Sequence, residues 1–160
     1  MAGKPTKAAL RTELVAQLEE ALTAAVAAHA ATVDGATHAE AKPENDKDTR
    51  ALEQQYLARG QAQRVVELQE ALLELARWAP RRFGEDDPIA LGALVTIEED
   101  GDERTLFVAP AGGGNQLADG IQVVTPRSPL GQLLLGKHAG DEVELRAGAR
   151  ARTLEIVAVA

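Results

Sequence analysis

The hydrophobic residues of this 160-residue chain change their spacing near residue 80. Before that point apolar side chains recur every three or four residues, which is the repeat of an amphipathic helix. After it they alternate with polar side chains in short runs bounded by turn residues, which is the repeat of a half-buried strand. The sequence therefore predicts an α+β protein, with helices in residues 1–80 and a small sheet in residues 81–160.

Two long helices are predicted in the first part. Residues 6–32 carry apolar side chains at four-residue spacing, namely Leu10, Leu14, Leu18, Leu22 and Val26. Residues 48–79 place a second set on one broad face, namely Leu52, Tyr56, Val66, Leu72, Leu75 and Ala76. A helix of about 27 residues is about 40 Å long. We therefore expect a long antiparallel coiled-coil hairpin with these residues at the interface.

The segment that joins the helices, residues 33–50, is rich in acids and contains the helix breakers Gly35 and Pro43. It forms the predicted acidic tip of the hairpin. Taken alone, acids just before a helix are commonly N-caps that favour its positive end.

Five strands and one short helix are predicted in the second part. The strand candidates are residues 93–100, 104–110, 120–126, 141–146 and 152–160. Ser128 is a suitable N-cap, Pro129 suits the first helical position and Gly136 ends the helix. The result is a small, largely antiparallel sheet with one helix on it. The glycine triplet at 112–114 lacks the Lys and Ser/Thr of a phosphate-binding loop, so we interpret it as a flexible connection.

Composition excludes several classes of function. A net charge of −8 and a pI near 4.9 oppose binding that relies on neutralising nucleic-acid phosphates. The chain has no cysteine, and its three histidines are too scattered for a metal site. No apolar run approaches the roughly 20 residues of a membrane span. A soluble, cytoplasmic protein without membrane contact is expected.

The stretch SPLGQLLLGKHAGDEVEL, residues 128–145, resembles the signature S-P-[LI]-G-x-x-L-[LI]-G-K-x-x-G-D-E-V of the Gre family of bacterial transcript cleavage factors. Glu44-Asn45 and Glu53-Gln54-Gln55 match the E-N and E-Q-Q of the same family. The resemblance covers nearly the whole chain, and it implies an N-terminal antiparallel coiled coil followed by an FKBP-like domain.

The resemblance also implies a function. The globular domain would dock on RNA polymerase at the rim of its secondary channel, and the coiled coil would carry carboxylates to the active centre. There they would help to hold a second Mg²⁺ and a water, and the polymerase itself would cut backtracked RNA. The chemistry is sound, because two-metal cleavage needs a second cation and Mg²⁺ prefers oxygen ligands. The isolated chain is then not an enzyme and binds no Mg²⁺ of its own.

Site residues follow from the same resemblance. Glu44 is the predicted metal ligand, assisted in catalysis by Glu40 or Asp46. Predicted contacts with RNA or polymerase are Asn45, Arg50, Arg59, Arg64, Ser128, Pro129, Gly131, Gly136 and Asp141. For each arginine, an ordinary solvated helix charge is an equally good interpretation.

The tip departs from the family pattern D-x-x-E-N, since Ala41 stands where the Asp is expected. Lys42 adds a positive charge there, and Pro43 restricts the backbone before it. This departure supports an alternative function, a channel-binding regulator that competes with other such factors without stimulating cleavage. A prolyl isomerase is disfavoured, because residues 81–160 hold only Phe83 and Phe107 as aromatics. A shorter Rnk-type polymerase binder is disfavoured by the long first helix.

Overall fold

The structure is a computed structural model that describes residues 3–40 and 49–160, leaving aside the side chains of residues 36–40. Two long helices come first, α1 (Lys7–Glu40) and α2 (Thr49–Ala76). Five strands and a short helix follow: β1 (Leu94–Glu99), β2 (Asp102–Val108), β3 (Gln122–Val124), α3 (Pro129–Leu134), β4 (Glu142–Ala147) and β5 (Arg150–Val159). The predicted α+β class is confirmed. None of the helices within these residues is long and apolar enough to cross a membrane.

The chain divides into two compact units that cut across the helices. One unit, which we call the sheet unit, comprises the chain up to Val15 together with Glu74–Ala160. The other, which we call the arm, is Ala16–Leu73. The first turns of α1 and the last turn of α2 thus belong with the sheet, whereas the division expected from the sequence lay between helices and strands near residue 80.

The sheet is mixed, with strand order β3-β2-β1-β5-β4. Three of its pairings are antiparallel, as expected, but β2 and β3 are parallel in the register Leu106↔Gln122. Asp100 and Gly101 join β1 to β2 with positive φ of 52° and 85°, the conformation of a type I′ hairpin turn. The Asp-Gly dipeptide was therefore a reliable local signal.

Both faces of β2 are covered. Leu106 and Val108 point into the core beneath α3, which they share with Ile97, Leu134 and Ile156. Phe107 points the other way and is fully buried, with its ring 5.8 Å from that of Trp78. The helix ends of the sheet unit supply Leu10, Leu14 and Leu75, all fully buried. We call these helix ends, which belong to the same compact unit as the sheet, the helical base.

Polar contacts fasten this base. The Arg11 guanidinium donates to the Leu75 carbonyl at 3.0 and 2.7 Å, which satisfies a carbonyl at the end of α2. Lys7 Nζ donates to the Arg81 carbonyl at 2.9 Å and lies 4.5 Å from the centre of the Phe83 ring. Burial, with a smaller effect of the Arg81 charge, lowers the pKa of Lys7.

The first glycine of the triplet is closely packed, and the interpretation of the whole triplet as a flexible connection stays a prediction. Gly112 has a φ of +82°, and a Cβ built there would lie 2.7 Å from Leu14 Cδ1. The Gly114 amide donates to the Val123 carbonyl at 2.9 Å. The loop thus holds the start of α1 on one side and pairs with β3 on the other.

The helices of the arm pack through a face that the sequence predicted only in part, since Leu18 and Leu72 lie on it. Buried or half-buried positions on α2 recur at spacings of three and four: Ala51, Gln54, Ala58, Gln61, Val65, Leu68 and Leu72. Those on α1 include Leu18, Ala21, Ala25, His29 and Thr32. We call these twelve residues the seam. Val26, Leu52, Tyr56 and Val66, predicted at the interface, are 48, 50, 67 and 44% exposed.

The cause of this error is the difference between a four-residue spacing and the repeat of paired helices. A stripe at strict four-residue spacing turns around the helix, because each step of four advances about 40°. Leu18 therefore stays buried, whereas Val26 has turned out of the seam. Seven-residue periodicity, which averages 3.5, keeps side chains facing a partner.

Candidate functional site

The short helix α3 is positioned by the first residue of the SPLG motif. Ser128 has an extended backbone and its Oγ accepts a hydrogen bond from the Gly131 amide at 3.0 Å, as an N-cap does. The same hydroxyl donates to the Thr125 carbonyl at 2.9 Å. Pro129 follows at the start of the helix, where its missing N–H costs nothing. The predicted N-cap is confirmed.

Gly131 is required by a close contact with the chain before the helix. A Cβ at this position would lie 1.9 Å from the Thr125 carbonyl oxygen, far inside any permitted contact. That oxygen also accepts hydrogen bonds from the Ser128 amide and hydroxyl. Ser128 and Gly131 thus lock α3 against the segment that leaves β3.

The end of the motif is built into the fold in the same way. Gly136 has a φ of +79° and its amide donates to the Ile89 carbonyl at 2.8 Å. Asp141 Oδ2 accepts from the His138 amide at 2.8 Å, closing the turn before β4. Both residues shape the backbone that follows α3, and neither borders the groove described next.

A groove of about 380 Å³ lies within the sheet unit, between β3, the start of α3 and β4. Its walls are Gly113, Gly114, Gln122–Thr125, Ser128–Leu130 and Leu145–Ala147. Val123, Leu130 and Leu145 give it an apolar lining, and Pro129 is exposed. Concave apolar surfaces with a few polar groups are typical binding sites. The motif therefore brings Ser128 and Pro129 to a surface that could receive a partner.

Sequence reasoning missed most of the groove. It singled out Ser128 and Pro129, but not Leu145, Thr125 or the glycine pair 113–114, which come from other parts of the chain. Gly131 carried the one usable signal. A glycine inside a helix implies a close neighbour, and that neighbour, Thr125, is a wall of the groove.

The three predicted arginines of the arm do not form one strip. Each residue of an α-helix advances about 100°, so Arg50 and Arg64 lie about 40° apart around α2, whereas Arg59 lies on roughly the opposite side from Arg50. Arg64 makes an exposed ion pair with Glu67 at 3.9 Å. Arg59 instead lines a small recess of about 120 Å³ with Leu52, Gln55 and Tyr56.

The predicted tip acids fall beyond what the structure describes. Glu44, Asn45 and Asp46 lie in residues 41–48, and Glu40 is described by its backbone alone, as the last residue of α1. Across residues 3–35 and 49–160, no group of three or more His, Asp or Glu side chains could hold a metal ion. The predicted Mg²⁺ ligand therefore stays a prediction.

Comparison with known proteins gives a family match over the second part of the chain. Residues 84–160 match the family model for the C-terminal domain of the transcription elongation factors GreA and GreB. The chain is 27% identical over 118 residues to transcription elongation factor GreA of Streptococcus thermophilus, covering 72% of this chain and 69% of the relative.

Solved structures were also compared. The crystal structure of GreA factor homolog 1 (Gfh1) of Thermus thermophilus is 20% identical, with a TM-score of 0.40, covering 91% of this chain and 94% of the other. A prokaryotic GreA/GreB elongation factor from Nitrosomonas europaea is 21% identical, with a TM-score of 0.39, covering 57% of this chain and 78% of the other.

Proposed function

Because this chain belongs to the Gre family of transcription elongation factors, we propose that it binds RNA polymerase at the secondary channel and stimulates cleavage of backtracked RNA. The observation that carries the proposal is the GreA/GreB C-terminal domain match, which contains the whole SPLG motif and the groove beside it. A protein with this role works in the cytoplasm, alongside the polymerase.

The groove is the proposed docking surface on the polymerase. Its apolar walls and exposed Pro129 can bury surface against a complementary apolar element of the enzyme. Hydrogen bonds from Ser128 and the close packing of Gly131 hold the groove in one shape. A rigid surface loses little entropy when it binds, which favours a stable complex.

The arm is the proposed carrier of the carboxylates. The part of α1 in the arm, Ala16 to Glu40, has 25 residues and is about 37 Å long. Glu44 is the proposed metal ligand, with Glu40 or Asp46 as the second acid and Asn45 beside it. Bound Mg²⁺ would supply Lewis-acid stabilisation of the phosphate and an activated water, on groups held by the polymerase.

The nascent RNA is a further proposed partner. Arg50 and Arg64 lie on one side of α2 and could contact its phosphates together. Arg59 faces away from Arg50 and is assigned instead to the polymerase. In this scheme the polymerase performs the chemistry and the chain has no nuclease activity alone.

A second candidate function rests on one feature of the sequence. Ala41 offers no oxygen where the family pattern has an Asp, and Lys42 places a positive charge next to it. A factor of this kind could occupy the channel and exclude other Gre factors without supplying a metal ligand.

A backtracked elongation complex distinguishes the two. The full chain is added with Mg²⁺, and shortening of end-labelled RNA is followed over time. Stimulation that is lost in Glu44→Ala but kept in the matched control Glu20→Ala, an exposed acid on α1, supports the cleavage role. Competition with another Gre factor without any stimulation supports the regulator instead. If the chain does not bind polymerase, both proposals are wrong.

A further inference from the structure

The seam of the arm has large apolar residues at one end and small or polar residues at the other. Near the sheet unit it contains Leu18, Leu68 and Leu72, and the first two are only 4 and 2% exposed. Toward residues 41–48 the described seam has no Leu, Ile or Val beyond Val65. Its members there are Ala51, Gln54 and Ala58 on α2, with His29 and Thr32 on α1, and Gln61 at the boundary.

Two buried atoms at this boundary have no hydrogen-bond partner. They are Nδ1 of His29 and Oε1 of Gln61, one on each helix of the arm. By helix rise, His29 lies about 17 Å beyond Leu18 and Gln61 about 11 Å beyond Leu68, so both lie beyond the buried leucines of the arm.

The large apolar residues of the same region lie outside the seam. Val33, Leu52, Tyr56 and Leu57 are 43 to 67% exposed. Apolar surface left in water contributes nothing to holding the helices together, and an unsatisfied buried polar atom opposes their pairing. The seam beyond His29 and Gln61 is therefore weak, although the sequence there supplies enough apolar side chains for a strong one.

We propose that the arm opens from the end next to residues 41–48, and that His29 on α1 and Gln61 on α2 mark where opening stops. Residues 16–28 and 62–73 form the near part, which stays paired. Residues 29–40 and 49–61 form the far part, which separates and recloses. Polar residues buried within a helical pair fix register at a cost in stability, and here their positions set the length of the opening segment.

Hydrogen exchange of the full chain tests this inference, independently of any activity on polymerase. We expect far-part amides, corrected for intrinsic rates, to exchange at least about tenfold faster than near-part amides, with the change at His29 and Gln61. The double substitution His29→Leu, Gln61→Leu should slow far-part exchange by about tenfold, because it replaces two unsatisfied buried polar atoms with apolar side chains. Either single substitution leaves one polar atom unsatisfied and should slow it much less.

The matched control is Ala28→Leu with Gln63→Leu, which adds apolar side chains at neighbouring exposed positions. It should leave the far-part exchange within about twofold of the original chain. Equal protection along the whole arm overturns the proposal, and so does a double variant that exchanges like the original chain. A control pair that slows exchange as much as the seam pair also overturns it, since helix propensity would then be the cause.

Discussion

At the scale of single residues, the SPLG motif shows which roles a sequence pattern can reveal. Ser128, Pro129 and Gly136 were predicted as a cap, a first helical residue and a stop, and the structure confirms each. Such roles depend on neighbours within a few positions in the chain. Gly131 is different, because its requirement comes from the Thr125 carbonyl, whose position depends on the path of the chain leaving β3. The groove could not be predicted for the same reason, because its walls come from separate parts of the chain.

Gly131→Ala should destabilise the sheet unit by about 3 kcal/mol or more, because the new methyl group would overlap the Thr125 carbonyl and force the backbone apart. Chemical denaturation followed by Trp78 fluorescence measures the change, since Trp78 packs on Phe107 in this unit. Gly84→Ala is the control, with no contact closer than 3.7 Å for its Cβ, and should change stability by less than about 0.5 kcal/mol. If the two variants were equally stable, the predicted overlap between residue 131 and the Thr125 carbonyl would be wrong.

At the scale of helices and strands, the sequence predicted the spacing of the apolar residues and the type of each element. It did not predict which face of each long helix packs against the other. The sequence placed both long helices and all five strands, because their periodicities are distinct. The end of α1 was wrong, since the helix continues through Gly35 to Glu40, residues that were predicted to belong to the tip. It did not distinguish the seam from the neighbouring apolar stripe containing Leu52, Tyr56 and Val66. Both stripes are helical, and only the partner helix decides which one is buried.

Leu68→Ala should therefore lower the free energy of unfolding of the arm by about 2–4 kcal/mol, because it removes a side chain that is 98% buried between the helices. Tyr56→Ala should cost less than about 1 kcal/mol, since its side chain is 67% exposed. Helical circular dichroism during thermal unfolding compares them. A larger loss for Tyr56→Ala would restore the interface first predicted from the sequence.

Four glutamates oppose one another across the sheet. Glu103 pairs with Glu98, Glu98 with Glu155, and Glu155 with Glu142, so the four lie in one row over β2, β1, β5 and β4. Like charges directly opposite one another destabilise a sheet. The register that creates this row could not be read from the sequence, because it depends on the order in which the strands pair.

Glu155→Lys should raise the free energy of unfolding by about 0.5–1 kcal/mol, because it converts two repulsive cross-strand pairs into attractive ones. The gain should shrink at high salt, which screens exposed charges. Denaturation at low and high ionic strength measures both effects. Glu85→Lys, at an exposed position in the linker, is the charge-matched control. A gain as large at Glu85 would mean that net charge alone is responsible.

At the scale of the whole molecule, the chain divides into the sheet unit and the arm, which is formed by two helices. The family could be inferred from the sequence because the SPLG motif is long and because its residues are needed for one local geometry. The division of the chain into two units was harder to predict from the sequence. Leu10, Leu14 and Leu75 continue the helical pattern without interruption, yet they pack with the sheet unit.

The central claim is that this chain binds RNA polymerase through the groove beside α3. The most direct test is equilibrium binding of the fluorescently labelled full chain to polymerase, comparing Pro129→Arg with Gln132→Arg. Residue 129 borders the groove, whereas Gln132 is exposed elsewhere on the same helix. We predict binding of the original chain, a loss of at least about tenfold in affinity for Pro129→Arg, and little change for Gln132→Arg. Absence of binding, or equal affinity of the two variants, would contradict the claim.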